Sequence, residues 1–227
     1  MNIIHTMDKT KTIEEIKTIK ELKNINKNII ISNKIIYITF DNQFNKKIII
    51  SQNIQYLTFG DCFDKKIIIS QNITHLTFEW NFNKKIKIPQ NITHLTFGQN
   101  FNKKIKIPQK ITHLTFMNQY NKKIKIPHSI THLTYGTQRC NQKIKLTNNI
   151  THLSFSESFN QKIKIPYTIT HLILGGNFDK KIIIYEKIKL SFHYSCLYPM
   201  QKKYLSKTNK PQNKTQQKIY NKNLIKK

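Results

Sequence analysis

The sequence contains no alanine and no valine, a single arginine (Arg139), a single tryptophan (Trp80) and only five glycines in 227 residues. Isoleucine, lysine and asparagine fill the composition instead, a skew that fits codons rich in A and T, so part of the charge follows from nucleotide bias. Acidic residues are scarce, 11 against 39 basic ones, which gives a net charge of +28. An excess of that size points to a polyanionic partner or an acidic surface. Taking one arginine from 39 basic residues leaves 38 lysines, so the planar guanidinium fork that suits bidentate phosphate recognition is almost missing.

Other absences exclude whole classes of protein. Cys62, Cys140 and Cys196 are odd in number, far apart and without a CxxC pair, which gives neither a disulfide framework nor a zinc site. No apolar run approaches the eighteen or so residues of a membrane span, and the N-terminus lacks the apolar core of a secretory signal. A soluble intracellular chain is expected, cytoplasmic and with no membrane contact. The sequence has no Gly-rich phosphate loop and no serine or cysteine in a nucleophile motif beside a distinct base. Neither catalysis nor a cofactor nor a metal centre is expected.

What is present is repetition. The nineteen residues from Phe82 to Asn100, F-N-K-K-I-K-I-P-Q-N-I-T-H-L-T-F-G-Q-N, begin again at Phe101 almost letter for letter. The frames start at Phe44, Phe63, Phe82, Phe101, Tyr120, Cys140, Phe159 and Phe178, and one twenty-residue unit carries Arg139. A period this short signals a solenoid whose units contact only their neighbours. Each unit offers a strand, I-T-H-L-T-F, with Ile92, Leu95 and Phe97 apolar and β-branched threonines between them. A second strand, K-I-K-I-P, is expected with Ile86 and Ile88 inward and Lys87 outward. Pro89, Pro108, Pro127 and Pro166 close it, because proline has no N–H to give to a ladder.

Nineteen residues leave no room for a helix beside two strands and two turns. The expected fold is therefore mainly β, a parallel solenoid of about eight coils with like residues stacked in columns about 4.8 Å apart. Residues 1–24 form an N-terminal cap, with a short helix over Thr10–Asn24 suggested by Ile13, Ile16, Ile19 and Leu22. The solenoid occupies residues 25–198, starting with a degenerate unit from Ile25 to Gln43. Residues 199–227, basic and without acids, are expected to be a disordered tail.

The motif F-N-x-K-I-x-I-P followed by I-T-H-L-x-F-G resembles the FNIP repeat, a family of social amoebae and of giant DNA viruses that infect amoebae, related to the leucine-rich repeats. Phe82, Asn83, Ile88 and Pro89 match its name-giving positions, and Ile92 to Phe97 match its T-H-L core. The resemblance covers about three quarters of the chain. It implies a leucine-rich-repeat-like solenoid acting by protein–protein interaction, located in an infected host cell if the chain is viral. Many relatives carry an F-box-like segment before the repeats; the 24 residues here are too few for one.

By analogy with leucine-rich repeats, the concave face carries Thr93, His94, Thr96, Gly98, Gln99 and their counterparts. His75, His94, His113, His132, His152 and His171 then form a ladder. It is a repeated neutral surface or a pH-sensitive one, and a poor metal ladder, since no carboxylate or thiolate accompanies it. Partner choice falls to positions where units differ: Asp61, Glu79, Trp80, His94 beside them, Gln99, Met117, Asn118, Arg139 and Glu157. Tryptophan and arginine are enriched among binding hot spots, although a packed Trp80 is the alternative. The lysine rows, Lys84, Lys85 and Lys87 with Lys103, Lys104 and Lys106 and with Lys122, Lys123 and Lys125, form either a solvated face or, together with the basic tail, a nonspecific nucleic-acid surface. The oligomeric state is not legible.

Overall fold

A computed structural model of the chain describes residues 4–5, 30–31, 36–117, 120–136, 144–156, 159–175, 178, 180–192 and 205–208. Strand β1 (Ile4–His5) pairs antiparallel with β2 (Ile30–Ile31). The repeat strands follow: β3 (Tyr37–Thr39), β4 (Tyr56–Phe59), β5 (His75–Phe78), β6 (His94–Phe97), β7 (His113–Phe116), β8 (His132–Tyr135), β9 (His152–Phe155) and β10 (His171–Leu174). β11 (Ile182–Tyr185), β12 (Lys189–Phe192) and β13 (Leu205–Thr208) complete the set. Among the described residues there is no helix, and the helix expected over Thr10–Asn24 lies outside them.

Eight repeat strands, β3 to β10, and then β12 make one nine-stranded sheet in chain order. Every pair is parallel and in identical register, so His75 faces His94, Leu76 faces Leu95 and Phe78 faces Phe97. Period-two alternation fixes that register: in each strand from β4 to β10 the second and fourth residues are buried and the first and third half-buried. A slip by one residue would turn Leu95 and Phe97 to solvent. Each such side chain contributes about 1.5–3 kcal/mol on full burial, and a single coil has nothing to bury it against.

The core is a stack of columns. Phe59, Phe78, Phe97 and Phe116 form one, Phe63, Phe82, Phe101 and Tyr120 a second, and Ile73, Ile92, Ile111 and Ile130 a third, all buried. Within a coil the first two columns meet, Phe97 stacking on Phe101 at 3.8 Å between centroids.

Column spacing is not uniform across a coil. Successive histidine rings lie 4.0–4.2 Å apart on the strand face. The inner phenylalanines from Phe59 to Phe116 are 5.3–5.8 Å apart, and the column from Phe63 to Tyr120 is 6.0–6.1 Å apart. Coils fan open away from the strands, which makes the strand face concave.

That fanning corrects the expected second strand. Residues 85–89, 104–108, 123–127 and 162–166 belong to no strand ladder, and the rings that open these coils stand further apart than those on the strand face. The burial pattern holds, with Ile88 buried, Ile86 packed against the core and Lys87 exposed. Side chains bridge the wider gap instead. Asn83 donates its N–H to Oδ1 of Asp64 at 2.9 Å, Asn102 to Asn83 at 3.0 Å and Asn121 to Asn102 at 3.2 Å. The Asn or Asp after the ring that opens each of these coils is thus a coil-to-coil clamp.

A second correction concerns the C-terminus. Within the stretch expected to be a disordered tail, β13 pairs in parallel with β11, Ile182 against Leu205 and Tyr185 against Thr208. The four-residue strand Ile182–Tyr185 offers edge N–H and C=O groups, and Leu205–Thr208 covers them. The rest of residues 199–227 lies outside the described residues.

Candidate interaction face

The residue before each strand from β4 to β9 has a carbonyl that gathers three donors. The carbonyl of Thr74 accepts from the N–H of Thr93 at 2.9 Å, the N–H of His94 at 3.1 Å and the hydroxyl of Thr93 at 3.2 Å. The same Thr hydroxyl lies 2.9 Å from Nδ1 of His94. A hydroxyl has one hydrogen; here it goes to the carbonyl, so the oxygen accepts from Nδ1–H. The arrangement recurs at Thr74, Thr112, Thr131, Thr151 and Thr170, with hydroxyl to Nδ1 distances of 2.9–3.0 Å. With the hydroxyl hydrogen assigned to the carbonyl, each imidazole is the Nδ1–H tautomer and its Nε2 keeps the lone pair.

The six imidazoles continue a stack opened by two tyrosines. Tyr37 and Tyr56 are 4.2 Å apart and Tyr56 and His75 4.3 Å apart. Beyond His171 the column ends on Lys189, which sits in register with it. Desolvation, then the charges of neighbouring histidines, pushes His75, His94, His113, His132 and His152 below the usual imidazole range. Those five imidazoles thus favour the neutral form, beside half-buried Thr77, Thr96, Thr115 and Thr134. Among the described residues no group of three or more His, Cys, Asp or Glu could hold a metal ion.

The non-repeating residues sit at the rim, on loops that leave the carboxyl ends of the strands. Trp80 is 54% exposed and Met117 36%. Asp61 and Gln99 are half-buried and Glu79 is exposed. Asp61, Glu79 and Trp80 belong to consecutive loops: the N–H of Asn81 reaches the carbonyl of Asp61 at 2.9 Å and the N–H of Asn100 that of Trp80 at 2.9 Å. Desolvation and then the charge of Asp61 raise the Glu79 carboxyl above its ordinary value. Asn118, Arg139 and Glu157 lie outside the described residues.

Gly98, expected on the concave surface, is buried instead. A Cβ there would lie 1.8 Å from the carbonyl oxygen of Glu79, and one at Gly60 2.5 Å from that of Asp41. Backbone packs on backbone at these positions. Along this column Gly60, Gly98 and Gly136 alternate with Glu79 and Met117, so a side chain projects from the rim at every second coil.

The structure splits the lysine rows. Lys84 is half-buried and pairs with Asp64, and Lys103 is also half-buried, whereas Lys122 is exposed. Lys85, Lys87, Lys104, Lys106, Lys123 and Lys125 are all exposed. Sequence reasoning missed one feature of this side. Ile49 and Ile68, at the position of Lys87, are 68% and 90% exposed; the runs Ile48–Ile50 and Ile67–Ile69 carried the signal.

A parallel β-solenoid with one repeat strand per coil, a curved strand face and an asparagine clamp is a leucine-rich-repeat-like protein. FNIP repeats are found in it: the FNIP Repeat family matches residues 63–100, 82–119, 101–138 and 159–185. Among solved structures, the chain is similar to CroV588, a giant-virus protein described as a novel circular LRR protein structure, at 36% identity with a TM-score of 0.62. That similarity covers 73% of this chain and 27% of the solved one, so the chain spans about a quarter of its length. No curated protein matches. Among the described residues no helix is long and apolar enough to cross a membrane.

Proposed function

We propose that this chain is a non-enzymatic interaction module that holds a protein partner along its concave strand face. The observation that carries this reading is the exposure of Trp80, the one tryptophan, at the rim of an otherwise repetitive surface. The histidine column runs unchanged from β5 to β10 and the threonine column from β3 to β8, so they accept a partner without choosing it. Selection then rests on Asp61, Glu79, Trp80, Gln99 and Met117, which differ from loop to loop. Tryptophan supplies large, stiff apolar area in such a contact, and Asp61 with Glu79 gives an acidic spot on a strongly basic chain.

The test is capture of partners by tagged wild-type protein in nuclease-treated lysate at moderate salt, beside Trp80→Ala and a double Thr96→Lys, Thr115→Lys variant. The reading expects discrete proteins with the wild type, at least tenfold less of them with Trp80→Ala, and none with the double variant. Retention of every partner by both variants sinks it.

A further inference from the structure

The side of the solenoid opposite the strands carries a surface of different chemistry. Lys85 and Lys87 stand two residues apart in the extended segment, with Ile86 between them turned to the core. Lys104 with Lys106 and Lys123 with Lys125 repeat the pair in the next two coils, and Lys145 and Lys164 continue the second lane. All eight are exposed, and among the described residues none is paired with a carboxylate. The segments 84–89, 103–108 and 122–127 hold no acidic residue and no aromatic one. The Phe82, Phe101 and Tyr120 rings that open these segments follow one another at 6.1 Å between centroids, and the lysines recur once per coil in two lanes, a grid.

We propose that this grid binds the phosphate backbone of double-stranded nucleic acid without regard to sequence, on a face distinct from that of the protein partner. Regularly spaced, solvated cations displace condensed counterions from phosphates, and that release is the main source of affinity in sequence-independent binding. Base stacking, which single-strand binders use, needs exposed aromatic rings, and the lysine segments have none. Bidentate base-edge contacts rely on arginine forks above all, and these segments have no arginine. Both absences favour a duplex held by its backbone. The two lanes differ at their start: the lane of Lys87 opens with Ile49 and Ile68, whereas the lane of Lys85 already carries the exposed Lys47 and Lys66, so paired lysines begin at Lys85 and Lys87.

The test measures fluorescence anisotropy with a labelled 24-base-pair duplex and the matching single strand between 50 and 300 mM KCl. One variant replaces Lys85, Lys87, Lys104, Lys106, Lys123 and Lys125 by Gln. A charge-matched control replaces Lys202, Lys203, Lys210, Lys214, Lys218 and Lys222 by Gln. Thermal melting of both variants checks that they remain folded. The proposal expects the wild type to prefer the duplex, with the grid variant losing at least tenfold in affinity at 100 mM salt. The slope of log K against log salt falls in that variant by about 5, close to 0.9 for each lost contact, while the control stays within about threefold. Equal losses in both variants, an unchanged slope in the grid variant, equal affinity for the single strand, or no duplex binding each overturns it.

Discussion

The hydroxyl of Thr93 accepts from Nδ1–H of His94 at 2.9 Å, because its own hydrogen is given to the carbonyl of the coil before. One residue therefore sets the tautomer of the next, six times along the sheet. The consequences are electrostatic, and they can be measured.

Acid destabilises the column. A histidine whose imidazole is held below its ordinary range in the folded chain takes up its proton sooner when unfolded. The stabilisation is complete above the unfolded value, about 6.5, and is lost as the pH falls below it. Five histidines share that direction of shift. The melting temperature should drop between pH 7.5 and pH 5, and by less in a His94→Gln, His113→Gln, His132→Gln variant. Nitrogen-15 NMR at pH 7.5 should show Nδ1–H throughout the column. An Nε2–H column, or a melting temperature equally flat in both proteins, would refute the tautomer assignment and the shifts respectively.

Gly98 tolerates no side chain. Its absent Cβ would fall 1.8 Å from a main-chain oxygen of Glu79, whereas at Gly136 the nearest atom is 3.1 Å away. Gly98→Ala should cost about 3 kcal/mol, the upper part of the usual range for overpacking, and Gly136→Ala clearly less. Urea denaturation of the two variants checks the order.

The asparagine clamp depends on an acceptor, not on an amide. Asn83→Leu leaves the N–H of Asn102 without its partner at 3.0 Å and should cost about 1–3 kcal/mol. Asn83→Asp should be nearly neutral, since Asp64 already serves the N–H of Asn83 in the same way. A loss in Asn83→Asp as large as in Asn83→Leu would show that the amide group itself matters.

Much of this architecture was legible in the sequence, because a repeat states the same preference many times. Ile92, Leu95 and Phe97 alternate with polar residues, and the strand forms there, His94–Phe97. Lys87 between Ile86 and Ile88 has the same alternation, yet no ladder follows. Alternation records which side chains are buried, while a ladder needs the copies close enough to bond, and that distance is a property of the whole curved stack. Leu205–Thr208 was missed for a related reason: its partner, Ile182–Tyr185, is over twenty residues away, and its own composition is that of a solvated chain. The site was legible as far as Trp80 and the histidines, which stand out by rarity and by recurrence. Gly98 was misplaced because a residue without a side chain gives no pattern of in and out. The tautomer lock depends on a hydrogen shared across coils and has no signature within a single unit.

The fanning of the coils has a consequence for heredity. Each unit uses the same contacts with the one before and the one after, so duplicating or deleting a unit between two others asks for no new core. What changes is direction: every coil rotates the next by a similar small angle, and the two ends of the array point apart by the sum. Recombination between near-identical stretches of coding sequence would thus lengthen or shorten the arc and re-aim its ends while leaving the chemistry of each face as it was.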